Sequence, residues 1–118
     1  MAQYKWLAEP HPKAKLSREQ LAERIERLLT TQNMCVLATV GPDGAVATPV
    51  EYYSDGLTLY LHSQSGSPKS KNMERDPRVS VGIFAPFVGW QSARGAQLFG
   101  RIEQVDPGTP DHAAAMEI

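Results

Sequence analysis

Between Cys35 and Val105, short segments rich in β-branched and apolar residues alternate with turn sequences at intervals of about ten residues. This spacing restricts the fold because it leaves room for strands and almost none for long helices. Turn chemistry is clearest in "GPDG" at residues 41–44 and "SDG" at residues 54–56. The pattern predicts an antiparallel β-barrel or sandwich with strands at Cys35–Val40, Ala45–Tyr53, Leu57–His62, Val79–Phe84 and Ala96–Val105.

Two helices are predicted beside these strands. Ser17 and Gln20 have the spacing of a capping box, and apolar residues follow at helical intervals, so we expect an amphipathic helix from Arg18 to Thr31. A shorter helix is expected from Pro68 to Arg75, where the sequence "DP" ends it. The fold class is therefore mainly β, of the α+β type.

The two ends of the chain have weaker patterns. Residues 1–16 hold two prolines without clear periodicity, and we expect an extended N-terminal arm followed by a single domain at residues 17–118. The tail "DPGTPDHAAAMEI" predicts the first turns of another helix.

Pro49 lies inside the second predicted strand, which otherwise places Val46, Thr48, Val50 and Tyr52 on one face. A proline cannot donate to the hydrogen-bond ladder, so it predicts a sheet edge or a bulge at this point. A bulge would expose backbone groups that could bind a ligand. Protection of an edge strand against aggregation is the alternative role.

Composition excludes several classes of function. A net charge of −1 gives no basic excess for a nucleic acid or an anionic membrane surface. A single cysteine, Cys35, rules out an internal disulfide framework and a multi-cysteine metal site. No apolar run has the length of a membrane span, and the N-terminus has no apolar run of signal-peptide length. We therefore expect a cytoplasmic protein.

The segment "SQSGSPKSK" before the short helix predicts an anion site. Ser67 is a suitable N-cap and Pro68 a suitable first helical residue. The N–H groups of Lys69 and Ser70 would then be free beside hydroxyls and an ammonium group, an arrangement that binds phosphate. The alternative is a solvated loop whose lysines extend into water.

The order of these segments, and above all the block "LTLYLHSQSGSPKSKNMERDPRVSV", resembles the pyridoxamine 5′-phosphate oxidase-like family of flavin-binding split barrels. The resemblance covers about residues 17–105. It implies a small, Greek-key-like split β-barrel that binds FMN at a homodimer interface. Exposed barrel edges in a chain with five strands favour the same dimer.

The resemblance also implies a set of cofactor-binding residues. Lys69 matches the position that holds the FMN phosphate, and Ser63 matches a serine or threonine that contacts it. The backbone of Pro49, Val50 and Glu51 matches the strand along the isoalloxazine ring. The family's arginine–glutamine pair appears here as Arg94-Gly95, so Gln91 or Gln97 is left as the candidate replacement.

Two departures from the family pattern concern the substrate. Pro68 replaces the arginine that usually precedes the lysine, and the family's C-terminal substrate motif of arginine, histidine and tryptophan is absent from this sequence. We therefore expect a flavin-dependent oxidoreductase acting on a small organic molecule other than pyridoxamine phosphate. Relatives of this fold bind a deazaflavin or haem, so a deazaflavin-dependent reductase and a non-enzymatic flavin or haem carrier are the alternatives.

His62 and Trp90 have roles that the sequence leaves open. His62 is a candidate cofactor contact, as a general base or a haem ligand, although a hydrogen-bonded residue at a strand end is the commoner case. Trp90 could cover a flavin face, seal a dimer or pack in the ordinary way. No catalytic acid–base pair or metal-ligand cluster is evident.

Overall fold

The computed structural model describes residues 2–106, with side chains from residue 5 onward. The predicted order of elements is confirmed, and two short 3₁₀ helices at Ala2–Ala8 and Trp90–Ser92 are added to it. The main elements are α1 (Arg18–Thr31), β1 (Met34–Gly41), β2 (Gly44–Asp55), β3 (Thr58–Leu61), α2 (Pro68–Arg75), β4 (Arg78–Phe84) and β5 (Gly95–Arg101). The helix predicted in the C-terminal tail lies outside the described residues.

The five strands form one antiparallel sheet in the order β3-β2-β1-β4-β5. The sheet curls into a half-barrel, which confirms the predicted mainly β, split-barrel architecture. Gly41 and Gly44 close the β1–β2 hairpin, where Gly44 has a φ of 134° that a residue with a side chain rarely adopts. β5 ends at Arg101 rather than at the predicted Val105.

One face of the sheet, which we call the inner face, carries the core. Strand residues alternate between faces, so Cys35 and Leu37 of β1 and Val81 and Ile83 of β4 point inward and are buried. Leu28 and Leu29 near the end of α1 belong to the same cluster. The opposite, outer face carries alternate residues, among them Val36, Ala38, Pro49, Glu51, Gly82, Phe84, Gln97 and Phe99.

The capping box predicted for α1 is confirmed. The Ser17 hydroxyl accepts from the Gln20 N–H at 3.1 Å, and the Gln20 side chain accepts from the Ser17 N–H at 3.0 Å. These bonds satisfy two of the backbone donors that a helix start leaves free. The start of α1 is therefore determined by residues within one turn.

Pro49 lies at a sheet edge and not at a bulge. β1 and β2 pair without interruption from Met34–Glu51 to Gly41–Gly44, and Val36 lies opposite Pro49. β3 pairs only with residues 52–55 of β2, which leaves residues 44–51 as a free edge on the side away from β1. The predicted faces are also confirmed, since Val50 and Tyr52 are buried while Pro49 is exposed.

The sequence predicts an extended N-terminal arm, but the structure shows that the arm is not extended throughout. Ala2–Ala8 forms a 3₁₀ helix and Trp6 joins the buried core. The guanidinium groups of Arg27 and Arg94 lie 5.1 and 5.8 Å from the centre of the Trp6 ring. Burial of a large aromatic ring between two cations offsets the entropy lost when this segment is ordered. The local periodicity of the sequence contains no signal for this contact between distant segments.

Candidate functional site

The start of α2 leaves one backbone donor free. Ser67 caps the helix, and its hydroxyl accepts from the Ser70 N–H at 3.3 Å. The Lys71 N–H donates to the Ser67 carbonyl at 3.0 Å, and Pro68 has no N–H to satisfy. Lys69 therefore has the unpaired N–H among the described residues of this turn, whereas the Ser70 N–H, which had been expected to be free, is engaged by the cap.

Three serine hydroxyls gather at this helix end. The Ser67 hydroxyl lies 3.1 Å from that of Ser70 and 3.3 Å from that of Ser63, and the Ser63 and Ser70 hydroxyls also bond each other. Ser70 donates to the Gln64 carbonyl at 2.8 Å. Because a hydroxyl hydrogen rotates freely, Ser63 and Ser67 can turn theirs toward an incoming acceptor. We call these three residues the serine cluster.

Positive charge without a counter-charge completes this helix end. Lys69 is half-buried, and its ammonium has no hydrogen bond or ion pair within residues 2–106. The first turn of α2 contains no acidic residue. A cation at a helix N-terminus is unfavourable unless an anion binds there, because the helix dipole is positive at that end. The geometry thus suits a phosphate group.

The serine cluster lies beside the free edge of β2. β3 ends at Leu61 opposite Tyr52, the ring of the next residue, His62, contacts Tyr53, and Ser63 of the cluster follows directly. A buried hydrogen bond of 3.0 Å from Asn72 Nδ2 to Thr39 Oγ1 fixes α2 against β1. This hydrogen bond was not predicted from the sequence. Its only sequence signal is a polar residue, Asn72, on the apolar side of a short helix, and that signal is weak.

The backbone groups along the free edge follow from the ladder. The Tyr52 N–H donates to the Asn33 carbonyl at 3.0 Å on the β1 side. These directions alternate along an antiparallel strand. The N–H of Glu51 and the carbonyls of Pro49 and Glu51 therefore point to the edge, whereas the N–H and the carbonyl of Val50 point to β1. Val50 also has its side chain in the core. Of the three strand residues predicted to line the flavin, Pro49 and Glu51 therefore offer backbone groups at the free edge, and Val50 does not.

Glu51, Tyr53 and His62 form a polar group on the outer face next to the serine cluster. The Tyr53 hydroxyl donates to Glu51 Oε1 at 2.7 Å, and its ring meets that of His62 edge-on with centres 6.3 Å apart. The hydrogen bond to the Glu51 carboxylate raises the pKa of Tyr53 above its usual value. His62 is exposed, and its edge-on contact with Tyr53 gives it a structural role in addition to any role at a ligand.

Arg94 and Gln91 are tied to the N-terminal segment. The Arg94 guanidinium donates to the carbonyls of Glu9 (2.9 Å), Gln91 (3.0 Å) and Ala93 (3.0 Å). It also lies 3.3 Å from His11 Nδ1, while His11 Nε2 is 2.9 Å from the Trp90 carbonyl. No hydrogen bond or ion pair among residues 2–106 joins Gln91 or Arg94 to the serine cluster. Trp90 is 83% exposed and meets Phe87 edge-on.

Gln97, the alternative to Gln91, lies on the outer face in line with Pro49. Pro49 pairs with Val36, Val36 pairs with Gly82, and Gly82 pairs with Gln97. These four residues form one row across the sheet, which we call the Pro49 row. An open groove of about 480 Å³ follows the row from Val36 to Gln97. Gly82 was missed from the sequence, although a glycine inside a strand is a recognised signal of a close approach.

The described residues hold neither a cluster of metal ligands nor a helix able to span a membrane. Within residues 2–106, no group of three or more histidine, cysteine, aspartate or glutamate side chains is arranged to hold a metal ion. None of the helices described is both long and apolar enough to cross a membrane.

Residues 21–117 match the model of the family described as pyridoxamine 5′-phosphate oxidase. Among curated proteins, none matches this sequence significantly.

Three solved structures illustrate the range of similar proteins. A haem-binding protein from Mycobacterium smegmatis is 26% identical with a TM-score of 0.70, and the match covers 88% of this chain and 42% of that one. An F420 reductase is 26% identical with a TM-score of 0.62, with coverage of 78% and 71%. An FAD-binding protein from Mesorhizobium loti is 24% identical with a TM-score of 0.68 and coverage of 86% and 70%, a likeness of fold alone. The chain spans less than half the length of the Mycobacterium smegmatis protein.

Proposed function

This chain belongs to the pyridoxamine 5′-phosphate oxidase family, and from that premise we propose that it binds FMN and acts as a flavin-dependent oxidoreductase on a small organic molecule. The proposed active form is a homodimer with the cofactor at the interface. FMN would supply the redox chemistry, and the chain would supply binding, orientation and control of access.

The observation that carries the proposal is the unpaired positive charge beside the serine cluster. Lys69 offers a free N–H and a free ammonium, and the hydroxyls of Ser63 and Ser67 can both donate. A phosphate dianion has acceptor oxygens for all of these donors. In its absence the charge of Lys69 opposes the helix dipole, so the residues present fit the phosphate of FMN.

The flavin ring would lie along the free edge of β2. There the Glu51 N–H and the Pro49 carbonyl offer one donor and one acceptor to the polar edge of the ring. The edge is reached directly from Ser63, because the chain leaves β3 alongside it. Pro49 serves the site because it has no N–H to offer a pairing strand, which favours an open edge beyond Tyr52.

Exposed aromatic side chains support the dimer. Phe84 and Phe99 on the outer face are 67% and 79% exposed. In the loop between β4 and β5, Phe87, Val88 and Trp90 are 61–83% exposed. Large apolar groups close together on one surface mark an interaction site more often than scattered ones do. A second copy packed on the outer face would cover them and enclose the cofactor between subunits.

Two other cofactors compete with FMN, and each has one specific observation in its favour. The F420 reductase, at 26% identity, favours a deazaflavin, whose phosphate would use the same serine cluster. The haem-binding protein, also at 26% identity, favours haem, with the exposed His62 as the available ligand. The visible spectrum of the loaded protein separates the three, since oxidised FMN absorbs near ~450 nm, haem near ~400 nm and the deazaflavin between them.

A titration of FMN against riboflavin tests the phosphate site. Riboflavin lacks the dianion, and each charge-assisted hydrogen bond contributes about 1.5–3 kcal/mol, so two of them predict at least a hundredfold preference for FMN. Quenching of flavin fluorescence measures both dissociation constants. Equal affinities would exclude the serine cluster as the phosphate site.

A further inference from the structure

The groove on the outer face has an apolar lining with one polar side chain. Its apolar side chains are Val36 from β1 and Phe84 from β4, and the amide of Gln97 from β5 is the polar group. No charged side chain lines it. Its volume of about 480 Å³ lies within the range that small-molecule sites in proteins occupy.

The groove continues from the strand that we propose for the flavin ring. The groove follows the Pro49 row and starts at Val36, one strand away from Pro49. Adjacent strands are about 4.8 Å apart, so a ligand in the groove would lie within contact distance of a ring that extends past Pro49. Pro49 and the groove lie on the same, outer face of the sheet.

Gly82 keeps the floor of the groove flat. A Cβ atom at this position would meet no other atom within 4 Å, and the φ angle is not in the left-handed region. Neither crowding nor backbone conformation therefore requires glycine at Gly82. Glycine weakens a strand, and an interior glycine without a packing reason often marks the close approach of a ligand.

We propose that this groove binds the substrate of the FMN site, and that the substrate is an uncharged, flat ring compound carrying a carbonyl oxygen. This substrate class rests on the function proposed above. The flat floor accepts a ring, the apolar side chains of Val36 and Phe84 pack against it, and the Gln97 amide donates to the carbonyl. A phosphate or carboxylate on the ring would have no cation in the groove, and burial of an unpaired charge is costly.

A matched pair of ligands, 2-naphthaldehyde and 2-naphthoate, tests the charge preference. The two have the same ring system and differ in the charge of one substituent. Isothermal titration calorimetry of the full-length protein, with and without FMN, should show the aldehyde binding about tenfold or more tightly than the carboxylate. Equal affinities, or a preference for 2-naphthoate, would overturn the proposal.

Variants of the groove locate the binding. Gly82→Leu fills the floor and should abolish aldehyde binding in samples compared at full FMN occupancy. The control is Gly100→Leu, at a β5 glycine that also has open space around it, and this variant should leave aldehyde binding unchanged. Gln97→Lys adds a cation and should invert the preference in favour of 2-naphthoate. This inversion requires a folded groove, so it cannot be produced by a loss of structure.

The remaining outcomes separate this proposal from the one on which it rests. One outcome is a protein that binds no FMN but binds the aldehyde, with Gly82→Leu abolishing the aldehyde binding. This outcome would overturn the proposed function and support the groove as a site for uncharged ligands. FMN binding with no effect of Gly82→Leu on the aldehyde would overturn the groove alone. A change of oligomeric mass in Gly82→Leu, without a change in ligand affinity, would assign the groove to a subunit contact and overturn the proposal.

Discussion

Lys69 and Lys71 are two residues apart on α2, so their side chains point about 200° apart around the helix axis. Lys69 is half-buried beside the serine cluster and Lys71 is exposed. We expect Lys69→Ala to weaken FMN binding by about 1.5–3 kcal/mol, roughly ten- to a hundredfold, because one charge-assisted contact is lost. Lys71→Ala should change it by less than about 1 kcal/mol. Flavin fluorescence titrations of the three proteins give the comparison.

Thermal melts of the same proteins without FMN supply the control. Lys69→Ala should be neutral or slightly stabilising there, because a cation is removed from the positive end of α2. Greater sensitivity of FMN binding to Lys71→Ala than to Lys69→Ala would contradict the assignment, and so would no effect of either variant.

Tyr52 is the second residue with a measurable role. Its hydroxyl donates to the Leu29 carbonyl at 2.6 Å, in the last turn of α1, where helix carbonyls have no partner within the helix. Burial, with a smaller contribution from the charge of Cys35, raises the pKa of Tyr52 from 10.0 to about 12. Tyr52→Phe should lower the free energy of unfolding at neutral pH by about 1–3 kcal/mol, since the carbonyl is left buried and unpaired.

The raised pKa of Tyr52 also predicts a dependence on alkaline pH. The unfolded chain ionises this hydroxyl near its ordinary pKa of 10.0 and the folded chain only near 12, so stability is fully present below the lower value and is lost as pH rises toward the higher one. Urea unfolding at both ends of this interval measures the loss. Tyr52→Phe should lose less stability over it than the native protein, and an equal loss would assign the effect to other groups.

At the scale of an element, the junction between α2 and β4 carries a pH-sensitive contact. Arg78 donates to Asp76 from Nη2 at 2.6 Å and from its backbone N–H at 3.1 Å. These bonds lower the pKa of Asp76 from 3.8 to about 2. Because the folded pKa is the lower one, the contact stabilises the protein above the unfolded value and is lost as pH falls toward about 2.

Substitution of either partner tests this junction. Asp76→Asn should reduce the fall of melting temperature between pH 3.8 and about 2, because the titrating group is gone. Arg78→Gln should have the same effect, since it returns the pKa of Asp76 toward its ordinary value. Melts across this interval that superimpose on those of the native protein would show that other carboxyl groups cause its acid sensitivity.

For the whole molecule we predict a dimer. Light scattering at micromolar concentration should give twice the mass of the 13.0 kDa chain. Phe99→Glu, which places a charge on the outer face, should shift the mass toward the monomer. Leu57→Glu alters an apolar side chain, 50% exposed, in the β2–β3 turn and should leave the dimer intact. A stable monomer of the native chain would contradict both the dimer and a cofactor site between subunits.

Local features of the fold and of the site could be predicted because their causes lie within a few residues. Ser17 and Ser67 each satisfy backbone donors within one helical turn, so α1 and α2 have the predicted bounds. Alternation along β2 placed Val50 and Tyr52 inside and Pro49 outside. The serine cluster follows from the same local rule, since Ser67 and Ser70 lie three residues apart at a helix start.

Contacts between distant segments could not be predicted in this way. Trp6 was assigned to an extended arm because no periodicity surrounds it, yet it packs among residues of α1 and the sheet. Arg94 matches a flavin-contacting position of the family, and the structure adds a hydrogen bond to the carbonyl of Glu9, 85 residues away. Burial of an aromatic ring and saturation of a guanidinium group depend on what the fold brings near, so a local pattern contains no signal for either.

The sequence by itself determined where helices and strands begin, which strand residues face inward, and which helix end carries unpaired positive charge. These properties depend on steric alternation and on hydrogen bonds that close within a turn. Only the tertiary structure decided that Pro49, Val36, Gly82 and Gln97 share one row. Strand register is set by the packing of the whole inner face on the core, and a shift of one residue would send every side chain of a strand to the other face.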